Sequence, residues 1–251
     1  MEYGLIGEKL GHSYSKIIHE AFGFYSYELC PLTREEFPIF MQQRHFKGIN
    51  VTIPYKREVI PFLDEIDDAA RAIGAVNTIV NRNGRLIGHN TDVSGFLWML
   101  AHHGIDPAGK DVLILGTGGA SAAVYAALQA CRAHSIYFVS RTAKDGALTY
   151  EDARSGHTDA QLLINTTPVG MYPNVDASPI DLLPFSGCEA VVDVIYNPAE
   201  TRLTAQAKAL GMKGITGLDM LLAQAKYAAE YYLDRELSDA LIHRAAKQLT
   251  F

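Results

Sequence analysis

Three observations predict an α/β protein whose second half is a doubly wound parallel sheet. Short apolar runs alternate with segments of helical period along nearly the whole chain, the pattern of βαβ units. From Asp111 those runs become continuously apolar, as in strands buried on both faces of a parallel sheet. A Gly-rich turn, Gly116-x-Gly118-Gly119, separates the first such run from an Ala-rich helix. At about 150 residues per domain, 251 residues suit one large domain or two modest ones.

In chain order, strand-like runs are read at Tyr3-Ile6, Ser26-Leu29, Gly48-Thr52 and Val76-Val80. Asn83-Gly84 follows the last of these and precedes Arg85-Gly88. Asn and Gly tolerate the positive φ of a tight turn, so this pair predicts a hairpin. Helices are expected at Ser15–Phe22 and Asp67–Ile73, and from Gly95 to His103, where Phe96, Leu97 and Leu100 share a face and Gly104 ends the segment. Val112-Leu115 is the first buried strand, with a helix from Ala120 to about Ala133. Ile136-Val139, Leu162-Asn165, Ala190-Val194 and Lys213-Ile215 continue the sheet. The stretch 142–160 is short and polar, so its crossover is expected to lack a full helix. Leu218–Leu233 reads as a helix, and a last one is capped by Ser238.

Composition excludes several function classes. Lys plus Arg number 22 against 28 Asp plus Glu, a net charge of −6. Such a chain lacks the basic field that nucleic-acid binding needs, so an anionic ligand must be held by a few placed donors. Cys30, Cys131 and Cys188 lie far apart, with no Cys-x-x-Cys or Cys/His cluster. Of nine histidines only His102 and His103 adjoin, and no His-x-x-x-His pair occurs; no metal site is expected. The N-terminus has neither a basic region nor a long apolar run, and no stretch reaches 18 apolar residues. A soluble cytoplasmic protein is expected, with no membrane partner.

The turn after Val112-Leu115 has two readings, a dinucleotide site or a purely structural turn. In the first, Gly116 makes the tight turn, Gly118 admits a pyrophosphate close to the backbone, and the helix N-terminus offers free N–H groups. Ser121 stands where the usual fingerprint has its third glycine. After the next strand, Val139-Ser140-Arg141-Thr142 carries no acid for a ribose 2′-hydroxyl. Arg141, with Lys144 behind it, offers a guanidinium for a 2′-phosphate, which favours NADP over NAD. The other reading of Arg141 is a solvated loop residue.

Four polar clusters end strands in the first hundred residues: 11–15, 50–56, 74–78 and 88–92. Singly each is ordinary turn chemistry. Together they offer hydroxyls, amides, an ammonium and a carboxylate, an inventory for a small polyhydroxylated acid. Reducing a ketone needs a proton for the emerging alkoxide, which Lys56 can give while Asp92 holds it in place. A surface ion pair is the alternative.

These motifs resemble the shikimate dehydrogenase family. The matching stretches are Gly11-His12-Ser13-x-Ser15, Asn50-Val51-Thr52-x-Pro54-x-Lys56, Gly74-Ala75-Val76-Asn77-Thr78 and Asn90-Thr91-Asp92-x-x-Gly95. In the second half they are Gly116-x-Gly118-Gly119-Ala120-Ser121, Asn165-Thr166-Thr167-Pro168-x-Gly170-Met171, Asp193-x-x-Tyr196-x-Pro198 and 217–224. The resemblance implies NADP-dependent interconversion of 3-dehydroshikimate and shikimate on the route to chorismate and the aromatic amino acids. It implies a substrate domain of residues 1–101 completed by 218–251, and a Rossmann-like NADP-binding domain of residues 102–217. Lys56 and Asp92 would be catalytic. Ser13 and Ser15 would hold the substrate carboxylate; Asn77, Asp92 and Gln224 would bond ring hydroxyls, and Thr52 and Tyr196 would complete the pocket. Gly116, Gly118, Gly119, Ala120, Ser140, Arg141, Asn165, Thr166, Met171 and Gly217 would line the cofactor. A monomer or homodimer is expected. Ser140 departs from the family's usual Asn, and Lys16 from its usual Pro. A quinate or dual-specificity dehydrogenase and a non-catalytic metabolite sensor are the competing readings; Ser15, Arg141, Lys56 and Asp92 point away from them.

Overall fold

The structure, a computed structural model, describes residues 1–11, 13–143 and 146–249. The chain divides into two compact units, Met1–Gly95 with Leu222–Thr250, and Phe96–Leu221.

In the first unit, β1 (Tyr3–Gly7), β2 (Glu28–Pro31), β3 (Gly48–Val51), β4 (Glu65–Ile66), β5 (Thr78–Arg82) and β6 (Arg85–His89) form one sheet, ordered β2-β1-β3-β5-β6-β4. β1 pairs in parallel with β2 and β3, whereas β5 runs antiparallel to both β3 and β6. The β5–β6 turn carries Asn83 at φ 55° and Gly84 at φ 89°, the hairpin the Asn-Gly pair predicts. Helices α1 (Ser15–Ala21), α2 (Glu36–Gln43), α3 (Tyr55–Glu58) and α4 (Asp68–Ile73) follow successive strands. Asp67 caps α4, its carboxylate accepting from the Ala70 N–H at 2.7 Å. One sheet face packs Ile6, Ile49, Val51, Ile79 and Leu86 against Phe37, Met41, Tyr55, Val59 and Ala70 of α2–α4 and the turn between them.

α5 (Thr91–His102) starts four residues earlier than its apolar periodicity suggests, because Thr91-Asp92 supplies its polar first turn. Gly104 at φ 60° closes it, with Ile105 N–H returning to Leu100 O.

The second unit holds β7 (Asp111–Leu115), β8 (Ser135–Ser140), β9 (Leu148–Thr149), β10 (Leu162–Asn165), β11 (Ala190–Asp193) and β12 (Lys213–Thr216), every pairing parallel. Their order is β12-β11-β10-β7-β8-β9. Counted from β7 this is 6-5-4-1-2-3, the doubly wound Rossmann order, whose direction reverses between β7 and β10. α6 (Gly119–Ala130) follows β7, α7 (Tyr150–Gly156) lies between β9 and β10, and α8 (Arg202–Ala209) between β11 and β12. Leu113, Leu115, Val139, Leu163 and Val191 pack against Ala153 of α7 and Leu203 and Ala207 of α8.

The segment 142–160 corrects the expectation: it contains β9 and a seven-residue helix. Thr149 and Asp152 form a reciprocal capping box that offsets the lack of an apolar stripe. α9 (Leu218–Leu233) and α10 (Ala240–Ala246) end the chain. The cap residue of α10 is Asp239 rather than Ser238, whose hydroxyl instead accepts from the Ala240 N–H at 3.3 Å. Ala228 and Tyr232 of α9 close the other face of the first sheet on Leu5, Tyr27 and Val80. Among the described residues no helix is long and apolar enough to cross a membrane.

Candidate active site

In the first unit, the Lys56 ammonium on α3 donates to Asp92 Oδ2 at 2.6 Å, with the two side chains 27% and 15% exposed. The other carboxylate oxygen accepts from Asn77 Nδ2 at 2.9 Å. Each partner is fixed by backbone. The carbonyl of Lys56 accepts from Val76 N–H at 2.8 Å, which pins the short α3 to the strand entering β5. Asp92 N–H is bonded to Asn90 Oδ1 at 3.1 Å, and Asn90 Nδ2 to Ala75 O at 2.9 Å. Asn77 Oδ1 accepts from Thr91 N–H at 2.8 Å and from Thr78 Oγ1 at 3.0 Å, so its amide orientation is set. Three of the four polar clusters therefore converge on one carboxylate. Thr91 Oγ1 reaches Gln224 Oε1 at 3.5 Å, bringing α9 to the same network.

Ser13 and Ser15 form a separate pair, one hydroxyl donating to the other at 3.1 Å, both half-buried. Their neighbour His12 lies outside the described residues. Thr52 directly follows β3 and is half-buried. Tyr196 belongs to the second unit.

Sequence reasoning did not single out the scaffold beneath this network. Asn50 lies in a motif, but its amide is used internally: Oδ1 accepts the hydroxyls of Tyr27 and Tyr232 at 2.7 and 2.8 Å. Its Nδ2 donates to Asn77 O at 3.2 Å and to Thr78 Oγ1 at 3.1 Å. Behind it, His19 is fully buried and stacks on Tyr27 at 4.1 Å. Burial lowers His19 to about 3, with Asn50 acting the other way, so the ring is neutral at physiological pH.

In the second unit, the Gly-rich turn sits beside the point where strand order reverses, where doubly wound sheets bind ligands. Gly116 has φ 100°, and a Cβ there would meet Thr167 Cγ2 at 2.9 Å. A Cβ on Gly118 or Gly119 would meet nothing within 4 Å: space lies open in front of the N-terminus of α6. Gly118 caps that helix without a side-chain hydrogen bond. The first-turn N–H groups and the positive dipole end suit a pyrophosphate. Ala120 is half-buried in that turn. Ser121 is buried, and its hydroxyl donates to Gly118 O at 2.6 Å. It therefore substitutes for the third glycine without disturbing the turn.

On the other side of the reversal, Asn165 ends β10. Its Oδ1 accepts from Thr167 N–H at 3.0 Å and Thr167 Oγ1 at 2.7 Å. Its Nδ2 donates to Asp193 Oδ1 at 2.9 Å. Thr166 Oγ1 donates to Leu115 O at 2.7 Å, tying this loop to the end of β7. Asp193 was legible only as part of a motif; the structure shows it fully buried, holding Asn165 and, at 2.8 Å, Thr201. Burial raises its carboxyl to about 6, against its hydrogen bonds.

Ser140 ends β8 and accepts from Thr142 N–H at 3.4 Å, and Arg141 is exposed just beyond. Lys144 lies outside the described residues. Met171, about half exposed, follows Gly170 at φ 96°. Gly217 has a packing reason of its own, since a Cβ would lie 2.1 Å from Val194 O. The donor set, open space and exposed cation thus fit a phosphorylated dinucleotide.

The sequence model described as the shikimate dehydrogenase substrate binding domain matches residues 5–79. A shikimate dehydrogenase (NADP(+)) from Moorella thermoacetica is 37% identical, covering 97% of this chain and 92% of its own. The chain belongs to the shikimate dehydrogenase family. Among solved structures, shikimate 5-dehydrogenase from Thermus thermophilus, in complex with NADP(H) and shikimate, has a TM-score of 0.87 at 34% identity, covering 99% of this chain and 100% of that one. A ligand-free 5-ketofructose reductase of a Gluconobacter species has a TM-score of 0.85 at 31% identity, covering 99% of each chain. The fold alone therefore does not name the substrate.

Proposed function

We propose that the chain is an NADP-dependent shikimate dehydrogenase, reversibly reducing 3-dehydroshikimate to shikimate in aromatic amino-acid biosynthesis in the cytoplasm. The observation that carries this reading is the Lys56–Asp92–Asn77 network, an ammonium and an amide on the two oxygens of one carboxylate. The first unit is assigned to the substrate and the second to the cofactor.

NADPH, when bound, supplies a hydride to the carbonyl carbon. The Gly116–Ala120 turn holds its pyrophosphate, Ser140 and Arg141 its 2′-phosphate, and Asn165, Thr166, Met171 and Gly217 its remaining length. Lys56 gives a proton to the carbonyl oxygen as charge develops there, and takes it back from the hydroxyl in the oxidation direction. The balance is ketone plus NADPH plus a proton to alcohol plus NADP⁺. Asp92 fixes the ammonium and, with Asn77 and Gln224, bonds ring hydroxyls. Ser13 and Ser15 hold the carboxylate, remote from the reacting carbon, with Thr52 completing the pocket. An Arg beside a 2′-phosphate contributes what NAD cannot use, and this supports NADP.

The test is a steady-state assay crossing shikimate and quinate with NADP⁺ and NAD⁺, with 5-ketofructose and NADPH as a further arm. Shikimate with NADP⁺ should give the highest kcat/KM. A preference for quinate or 5-ketofructose overturns the substrate, and a preference for NAD⁺ overturns the cofactor.

A further inference from the structure

Among residues given no role above, the second unit carries a side-chain cluster that sequence spacing could not show. His102 ends α5 and His103 follows it, while Asp219 lies 116 positions further on, in the first turn of α9. One ring nitrogen of each histidine and a carboxylate oxygen of Asp219 lie within 4.8 Å of one another. We propose that His102, His103 and Asp219 form a three-ligand site for a divalent transition-metal ion of the zinc or nickel kind, its remaining positions open to water.

The geometry is close to what such an ion needs. His103 Nε2 and Asp219 Oδ2 already stand 2.7 Å apart. Metal–nitrogen and metal–oxygen bonds of about 2.0–2.2 Å place tetrahedral ligands about 3.4 Å apart. Binding therefore widens the His103–Asp219 pair by about 0.7 Å and draws in the exposed His102 ring. The backbone beneath is held: His103 N–H bonds Met99 O at 3.1 Å, and Lys213 donates to the carbonyls of His103 and Gly104 at 3.1 and 3.0 Å. Lys213 is thereby directed at carbonyls while the carboxylate pairs with His103. Two imidazoles and a carboxylate suit zinc, nickel or copper rather than magnesium or calcium.

The chain supplies its own probe. Trp98 is its single tryptophan, and the His102 ring stacks on it at 4.7 Å between centroids and 11° between planes. Untagged full-length protein, freed of metal by chelator and desalted, is titrated at pH 7.5 with NiCl2 while Trp98 emission is followed. ZnCl2 is followed by calorimetry and used to compete. One saturable equivalent is expected, with Ni²⁺ quenching Trp98 and Zn²⁺ displacing Ni²⁺. His102→Gln and Asp219→Asn should each weaken binding at least about tenfold, circular dichroism and melting temperature reporting that the fold is kept. No saturation below about 100 μM metal overturns the site. So does a stoichiometry above one, or an affinity in both variants within threefold of wild type, since the ion is then held by scattered surface histidines.

Discussion

Replacing Asp92 by Asn is the perturbation whose size the geometry fixes best. Wild-type Asp92 presents two acceptors to two donors, Lys56 Nζ at 2.6 Å and Asn77 Nδ2 at 2.9 Å. An amide keeps one acceptor and turns the other into a donor. Asn77 cannot flip to compensate, because its oxygen already accepts from Thr91 N–H and Thr78 Oγ1. One donor must therefore face another, and the amide no longer carries the charge that holds Lys56. A hydrogen bond to a charged group contributes about 1.5–3 kcal/mol, and about 1.4 kcal/mol is tenfold. Asp92→Asn should lower kcat/KM for shikimate by about 10- to 100-fold, through a fall in kcat and a rise in KM together. Steady-state kinetics with NADP⁺ saturating reads both. A variant within threefold of wild type in both constants, with a lowered melting temperature, would refute the reasoning and make Asp92 a structural partner.

Ser13→Ala and Ser15→Ala should mainly raise KM, because contacts to a carboxylate far from the reacting carbon act almost equally in ground and transition states; a fall in kcat at unchanged KM contradicts the assignment. Arg141→Ala should weaken NADP⁺ at least about tenfold and leave NAD⁺ almost untouched. The ratio of kcat/KM for the two cofactors measures this, and the double variant with Lys144→Ala gives the cleaner value. An unchanged ratio in the double variant would mean the phosphate is read elsewhere. His19 makes a pH prediction. Its folded value is about 3 against 6.5 unfolded, so the unfolded chain takes up a proton that the fold excludes. Stability is then full above pH 6.5 and falls as pH drops toward 3, by about 2 kcal/mol at pH 5. Urea unfolding at pH 7.5 and pH 5 should show a change about 2 kcal/mol less favourable in wild type than in His19→Phe, the opposing contribution of the raised Asp193 carboxyl being common to both; equal changes would remove His19 as the cause.

Much of the fold was legible because its signals are local. Leu162–Asn165 and Leu218–Leu233 have the boundaries their apolar patterns predict, and Asn83-Gly84 makes the expected turn. What escaped has weak local signal. β4 is two residues long and α3 four, both stabilised by neighbours rather than by pattern. α7 and α8 have little apolar character and start from capping boxes at Thr149 and Thr201. In the site, Lys56, Asn77 and Asp92 could be nominated as residue types, but their convergence on one carboxylate depends on α3, the strand entering β5 and the start of α5 meeting. The supports are less legible still. Asn50 resembles any turn amide until Tyr27 and Tyr232 are seen bonded to it. Asp193 resembles any strand-end acid until its burial beside Asn165 is known.

The proposed chemistry turns on the Lys56 ammonium, held on Asp92, exchanging the proton of the reaction. The kcat of Lys56→Ala for shikimate with NADP⁺ saturating, measured beside its KM, isolates that step. General acid–base catalysis contributes about 10²–10⁴-fold. A fall in kcat of that size is expected, with KM within a few-fold of wild type; a kcat within threefold of wild type would contradict the role of Lys56.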